Sequence, residues 1–192
     1  MDSSKQHLRL EARRHRARMD IRGEDPVVAA DLFFKSINPS KGQVVAAYWP
    51  TGSEFDSRPL IERLLEAGIE CALPMTQKDM RALRFAKWDD AMTLQKGAHN
   101  VMEPIADETT VWLEPDIIIV PLLAFDRRGY RLGQGGGHYD ATLAAMRLKK
   151  KIVAVGLGYS QQACLFNLPV EAHDEKLDWV ITPLGAQDFR DF

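Results

Sequence analysis

The sequence has few cysteines, no long apolar run and little net charge, and each of these absences excludes a class of protein. Cys71 and Cys164 are the two cysteines among 192 residues, too few for a disulfide scaffold and without metal-site spacing. His99 has no second histidine or cysteine at ligand spacing, so we expect it to be structural or pocket-lining. The sequence contains no run of about 18 apolar residues, the length that could span a membrane. Its net charge of −2 gives no general reason to expect nucleic-acid binding. We therefore expect a globular protein of the cytoplasm.

The first segment also lacks the apolar middle of a secretory signal. It is rich in arginine, which can imitate a mitochondrial transit peptide, but Glu11 and Asp20 interrupt it with negative charge. Leu8, Ala12, His15 and Met19 follow one another at spacings of three or four residues, which predicts a first amphipathic helix.

Helical and strand patterns alternate along the rest of the chain. Asp25-Pro26 predicts a helix to about Ile37, Ser57 can cap a helix that ends near Gly68, and another is expected from about His138 to Lys149. Continuous apolar runs predict strands near 44–49, 69–74, 82–88, 116–123, 152–156 and 179–182. Such strands between helices are typical of a parallel sheet covered on both faces. We predict an α/β fold, a single-domain three-layer sandwich over residues 1–192 with a mostly parallel, Rossmann-like sheet.

The most unusual stretch follows the predicted strand that ends near Val120. Four of the five residues 133–137 are glycines, which expose backbone N–H groups and admit positive φ. The loop leads into a helix start, at the sheet edge where α/β proteins bind ligands. It is neither a P-loop, because no Gly-Lys-Ser/Thr follows, nor a dinucleotide fingerprint, because His138 replaces the third glycine. Phosphate binding and a merely flexible connection are the two interpretations.

The stretch from Pro121 to Asp140 closely resembles the signature of the 5-formyltetrahydrofolate cyclo-ligase family. That signature is an apolar strand, Pro, Phe-Asp, Gly, Arg-Leu-Gly, a glycine cluster, an aromatic pair and Asp. The resemblance extends over nearly the whole chain. It implies an enzyme, a monomer, that uses ATP and Mg²⁺ to convert 5-formyltetrahydrofolate into 5,10-methenyltetrahydrofolate, with no nucleic-acid or membrane partner.

The implied reaction has two chemical stages. ATP phosphorylates the formyl oxygen, and nitrogen 10 of the folate then attacks the formyl carbon and displaces phosphate. Phosphoryl transfer depends on positioning and charge neutralisation more than on a protein nucleophile.

The resemblance also assigns residues to ATP. Lys5 and Arg9 are four residues apart, on one helix face, and look like the family's basic pair. The implied ATP-binding residues are Lys5, Arg9, Arg131, Leu132, Gly133, Gln134, Gly135, Gly136, Gly137, His138 and Tyr139. Arg131 and Lys5 are the two for which we expect a catalytic role.

Folate and metal are assigned in the same way. The implied substrate-binding residues are Trp49, Glu54, Gln134, Gly135, Gly136, Gly137 and His138. Glu54 matches the family's folate-binding glutamate, whose carboxylate suits the N–H edge of a pterin. Asp140 and Asp178 match its Mg²⁺-associated aspartates. Without the resemblance, Glu54 is a surface charge and Asp178 caps the start of a strand.

The sequence departs from the family pattern in places. Gln134 and His138 stand where relatives often carry other residues, commonly an aromatic residue at the second position. The segment after Pro74 lacks an arginine that many relatives have, for which Arg81 or Arg84 could compensate.

Two other functions stay open. A sugar-phosphate isomerase could also use a glycine-rich anion loop, but it does not account for Lys5, Arg9 and Asp178 together. A non-catalytic folate or nucleotide binder with a regulatory role would bind without turnover. Loss of Asp140 or Arg131 would be its expected mark, and both residues are present.

Overall fold

The computed structural model describes residues 3–97 and 101–190, so His99 lies outside the described residues. The helices are α1 (Ser3–Arg16), α2 (Pro26–Ile37), α3 (Arg58–Glu66) and α4 (His138–Lys149). The strands are β1 (Val44–Ala46), β2 (Glu70–Gln77), β3 (Met80–Trp88), β4 (Leu94–Lys96), β5 (Met102–Pro104), β6 (Trp112–Leu113), β7 (Ile117–Pro121), β8 (Ala124–Phe125), β9 (Arg131–Leu132), β10 (Val153–Leu157), β11 (Trp179–Thr182) and β12 (Gly185–Asp188). No helix among the described residues is long and apolar enough to cross a membrane.

One sheet organises the fold, in the strand order β12-β11-β10-β7-β1-β2-β3-β6. The central strands β11, β10, β7, β1 and β2 are parallel to one another. At its two sides the sheet continues through antiparallel pairs, β11 with β12 and β2 with β3. The predicted mostly parallel sheet is therefore confirmed.

Side chains of β7 are buried on both faces of this sheet. Ile117 and Ile119 belong to an apolar cluster that includes buried residues of α2 and α3. Ile118 and Val120 belong to a second cluster with Leu143 of α4. Because successive strand residues point to opposite faces, a continuous apolar strand fills both interiors. This arrangement is the predicted three-layer sandwich.

Local signals explain the helix boundaries that the sequence predicted. Asp25 accepts a hydrogen bond from the Val27 amide at 2.9 Å, and Asn38 ends α2 in the left-handed conformation at φ 50°. Ser57 precedes α3 as predicted, but the expected side-chain cap is wrong. Its buried hydroxyl instead donates to the Tyr48 carbonyl at 2.5 Å, which ties α3 to the segment after β1.

Helix α1 lies outside the sandwich, against the loops at the carboxyl end of β7. Leu8 and Ala12 pack on a small apolar cluster formed by Leu123, Leu132 and their neighbours. The helix ends at Arg16, earlier than the predicted Met19. Because α1 is anchored on this side, its remaining face is turned toward the glycine loop.

Candidate active site

Helix α1 presents a row of cations to the two loops that follow β1 and β9. Arg9 Nε donates to the Gly133 carbonyl at 3.1 Å. Arg13 donates twice to Gln134, from Nε to the side-chain oxygen at 3.1 Å and from Nη2 to the carbonyl at 2.9 Å. Arg16, one turn further, completes the row. The helix therefore holds the start of the glycine loop through Arg9 and Arg13, and the loop after β1 through Arg16.

Lys5 begins this row but lies against a different segment. Its ammonium, 5% exposed as a residue, contacts Asp174 at 2.5 Å and Glu171 at 2.9 Å. Burial by itself lowers the pKa of Lys5, but the hydrogen bonds and charges of both carboxylates outweigh it and raise that pKa. The two carboxylates take two of the three N–H donors of Lys5, so one donor is left for a phosphate.

The glycine loop has the conformation that only glycine adopts at low cost. Gly135 has φ +110° and Gly137 has φ +69°. A Cβ on Gly136 would lie 2.7 Å from the His138 ring, so a side chain at this position would force that ring to move. Within the described residues, no hydrogen bond has a backbone N–H of 133–137 as its donor, although the Gln134 side chain donates to Glu54. The loop therefore presents unpaired backbone donors.

These donors continue into α4. Gly137 is its N-cap and supplies no side-chain cap, which leaves the first-turn N–H groups unpaired. An uncapped helix start beside a glycine nest favours an anion through its donors and its dipole. Leu132, by contrast, is buried in β9, and its carbonyl accepts from the Leu123 amide at 2.8 Å.

Glu54 joins the loop after β1 to the glycine loop. One carboxylate oxygen accepts from the Gln134 side chain at 3.2 Å, and the other accepts from the Thr51 amide at 3.1 Å. Each oxygen keeps a further lone pair for a ligand. The predicted folate residue and the predicted phosphate loop thus meet in the structure, although they are 80 residues apart.

Two tyrosines stand near Glu54 and stay neutral. Burial, aided by the charge of Glu54, raises the pKa of Tyr139, while Arg131 opposes the rise. Burial likewise raises the pKa of Tyr48 well above its ordinary value. Trp49 is half-buried and packs edge-to-face on Trp88 at 5.6 Å between ring centroids.

The guanidinium of Arg131 is held in place by hydrogen bonds within the chain. It donates to Asp140 at 2.9 Å and to the Glu175 carbonyl at 2.8 Å, and the Arg131 side chain is 3% exposed. The same Asp140 oxygen also accepts from the Glu175 amide at 3.0 Å. In the described structure the second Asp140 oxygen has no hydrogen-bond partner. Asp140 can therefore offer one oxygen to a cation.

Asp178 has a separate set of partners. One oxygen accepts from the Ala154 amide at 2.7 Å and from Arg147 at 3.2 Å, where β10 and β11 begin. These contacts support the capping role. Among the described residues, Asp140 and Asp178 share no hydrogen-bond partner. The described residues hold one group of three possible metal ligands, formed by Glu171, His173 and Asp174, and Lys5 already lies on it.

His138 and Arg81 meet beside the glycine loop. The Arg81 carbonyl accepts from His138 Nδ1 at 2.8 Å, which fixes the orientation of the ring and leaves Nε2 without a described partner. A Cβ on Gly137 would lie 3.9 Å from the Arg81 guanidinium. Arg84 instead stacks on Trp112, 3.7 Å from the ring centroid. Of the two arginines considered for this site, Arg81 is the one that lies there.

The sequence prediction missed Arg13 and Arg16. The signal was present, since basic residues continue at helical spacing after Lys5 and Arg9. A basic helical face is usually solvated, however, and only the packing of α1 turns this one inward.

A sequence model of the 5-formyltetrahydrofolate cyclo-ligase family matches residues 1–183. The chain is 36% identical over 152 residues to the 5-formyltetrahydrofolate cyclo-ligase of Mycolicibacterium smegmatis, a match that covers 74% of each protein. It is 30% identical over 180 residues to that of Haemophilus influenzae, or 90% of this chain and 94% of the relative. The solved 5,10-methenyltetrahydrofolate synthetase of Aquifex aeolicus superposes with a TM-score of 0.74 at 27% identity, over 98% of this chain and 94% of that one.

Proposed function

The chain belongs to the 5-formyltetrahydrofolate cyclo-ligase family, and we propose that it catalyses the ATP-dependent cyclisation of 5-formyltetrahydrofolate to 5,10-methenyltetrahydrofolate. The contact of Glu54 with Gln134 is the observation that carries this proposal. It supports a site in which a pterin acceptor and a phosphate loop share one edge of the sheet.

ATP is assigned to the glycine loop and the start of α4. The unpaired backbone N–H groups of 133–137 and of the first helical turn would donate to its phosphates. Arg9, whose Nε is held by Gly133, keeps its remaining guanidinium nitrogens for the same purpose. Lys5 would join them through the N–H donor that Glu171 and Asp174 leave unused, which is compatible with its predicted catalytic role.

Folate is assigned to Glu54 and the surrounding side chains. A carboxylate that accepts two pterin N–H donors would orient the ring. Tyr48 and Tyr139 stay neutral and therefore do not repel the charge of this carboxylate. His138, held through Nδ1 by the Arg81 carbonyl, presents Nε2 as a further polar atom beside the loop. Holding folate and ATP together makes the reaction effectively intramolecular.

The proposed chemistry balances without a covalent enzyme intermediate. The terminal phosphoryl group moves from ATP to the formyl oxygen, and ADP leaves. Nitrogen 10 then forms a bond to the formyl carbon and loses its proton, while the carbon–oxygen bond breaks and phosphate leaves with that oxygen. The cysteines fit this scheme, because burial raises the pKa of Cys71 to about 12 and also raises that of Cys164, which keeps both thiols protonated.

Magnesium would neutralise phosphate charge in this reaction. It is commonly held by one or two carboxylates together with phosphate oxygens, and the unpaired oxygen of Asp140 fits such a site. Asp178 has the same pattern, because the Ala154 amide and Arg147 donate to one of its oxygens and the other has no hydrogen-bond partner among the described residues, so it could also offer one oxygen to a cation. Arg131 would keep Asp140 in place.

The test follows absorbance in the methenyltetrahydrofolate band while the protein is mixed with 5-formyltetrahydrofolate and Mg²⁺, with and without ATP. We expect a rise that requires ATP and matches the ADP released. Folate binding without any rise, with the substrate verified by a control enzyme, would favour a non-catalytic binder instead.

A further inference from the structure

Arg16 is a buried cation that the proposed reaction does not yet use. It is 9% exposed, and its one described hydrogen bond runs from Nε to the Ser53 hydroxyl at 3.1 Å. Within residues 3–97 and 101–190, no carboxylate lies in salt-bridge distance of it. Burial lowers the pKa of Arg16, and the charge of Glu54 is the first of the effects that oppose this. Burying a guanidinium without a carboxylate partner destabilises the folded protein unless a ligand accepts its remaining hydrogen bonds.

Its two terminal nitrogens remain available. Neither takes part in a hydrogen bond between described residues. Among those residues, the Thr51 hydroxyl is the one fully buried side-chain polar atom that has no hydrogen-bond partner. The terminal nitrogens of Arg16 also have no partner, so they are not fully buried. They keep access to space beside the loop that carries Ser53 and Glu54.

The surroundings of Arg16 point to the folate side of the site. The charged and titratable groups that act on it are Glu54, Tyr48, Tyr159 and Arg13. Arg9 and Arg13 contact the glycine loop, whereas Arg16 contacts the loop after β1. Arg16 is therefore placed for the ligand of Glu54 and not for the phosphates.

The two side chains together offer a carboxylate acceptor and, next to it, a forked donor. A pterin has the complementary edge, with an amino group, a ring N–H and a carbonyl oxygen in a row. On the basis of the proposed function, we propose that Arg16 is a specificity-determining residue that donates to the pterin carbonyl oxygen while Glu54 accepts from the adjoining N–H groups. Arg16 thereby selects the 4-oxo form of the ring.

The test compares Arg16→Met and Arg16→Lys with the matched control Arg18→Met, an exposed arginine on the same segment. For Arg16→Met we expect kcat/KM for 5-formyltetrahydrofolate to fall about 10- to 100-fold, the effect of one hydrogen bond to a charged group. The KM for ATP should stay within about twofold, since no phosphate contact is lost. Arg16→Lys should recover part of the loss, and Arg18→Met should match the wild type.

A second measurement separates recognition from folding. The dissociation constants of 5-formyltetrahydrofolate and its 4-amino-4-deoxy analogue are measured without ATP, on proteins whose melting temperatures are known. The preference for the 4-oxo ligand should be about tenfold smaller in Arg16→Met than in the wild type, because the carbonyl oxygen of that ligand no longer meets a guanidinium donor. Equal losses for both ligands, or a rise in the KM for ATP alone, would overturn the proposal.

The ligand-preference measurement tests Arg16 separately from the proposed cyclo-ligase activity. If the wild type binds both ligands without turnover, the cyclo-ligase activity fails but the preference for the 4-oxo ring still tests Arg16. If Arg16→Met does not fold, the same comparison on Arg16→Lys decides, and an unchanged preference there would count against a role for the forked donor.

Discussion

Replacing Glu54 with glutamine tests the folate side of the site with the smallest change in shape. In the structure, one carboxylate oxygen accepts from the Gln134 side chain at 3.2 Å and the other from the Thr51 amide at 3.1 Å. The amide keeps one acceptor oxygen but replaces the other with a donor, which faces an existing donor. It also removes the negative charge that a pterin N–H edge requires.

The magnitude follows from the loss of one charge-assisted hydrogen bond. Such bonds contribute about 1.5–3 kcal/mol, which corresponds to a fall of about 10- to 150-fold in kcat/KM for 5-formyltetrahydrofolate. The KM for ATP should change by less than about twofold, because no phosphate contact is altered. Steady-state kinetics with each substrate varied in turn measure both quantities.

Glu62→Gln is the matched control, because Glu62 is exposed on α3 and the described residues give it no hydrogen bond or salt bridge to either loop. Its kinetics and its melting temperature should equal those of the wild type. If Glu54→Gln turned over folate as fast as Glu62→Gln, the assignment of the pterin to Glu54 would be wrong. A rise in the KM for ATP of the same size as the folate effect would also contradict it, since it would point to collapse of the glycine loop.

Three further changes test other parts of the structure. Asp140→Asn should leave the protein folded but lower turnover about 100-fold or more, and near-normal turnover at limiting Mg²⁺ would remove Asp140 from the metal site. Lys5→Met should cost about 1–3 kcal/mol of unfolding free energy, below the range for fully buried pairs because one partner carboxylate is partly exposed. Because the folded pKa of Lys5 is raised above 10.5, this difference should be constant at neutral pH and vanish only as the pH rises past that value, which melting curves from pH 7 to 11 would show or refute. Ile118→Ala, at a fully buried position of β7, should cost about 2–5 kcal/mol in denaturant unfolding, and a loss below about 1 kcal/mol would contradict the packing described for the sheet.

The parts of the fold that the sequence predicted have strong local causes. Helix α2 has an N-cap, a first-turn proline and a left-handed end, and α4 begins directly after a glycine cluster, so both were bounded correctly. Strand β7 was predicted because its residues are apolar on both faces. By contrast, β9 has two residues and β12 has the polar sequence Gly185–Asp188, so neither produces a pattern that can be distinguished from a loop.

The site was predicted less completely, because its contacts join distant parts of the chain. Lys5 meets Glu171 across 166 positions, and nothing near Lys5 in the sequence indicates that pairing. Arg16 is missed for a related reason, since its burial depends on how α1 packs and not on its own neighbours. The assignment of Lys5 and Asp178 to ATP and Mg²⁺ stays a prediction, and so do the monomeric state and the cytoplasmic location.

The most direct test of the proposed reaction follows the formyl oxygen. The protein is incubated with ATP, Mg²⁺ and 5-formyltetrahydrofolate labelled with ¹⁸O in the formyl group, and the phosphate released is analysed by mass spectrometry. We expect one ¹⁸O atom in each phosphate, because the formyl oxygen is phosphorylated and leaves with it. Methenyltetrahydrofolate formed together with unlabelled phosphate would contradict activation of the formyl group by ATP.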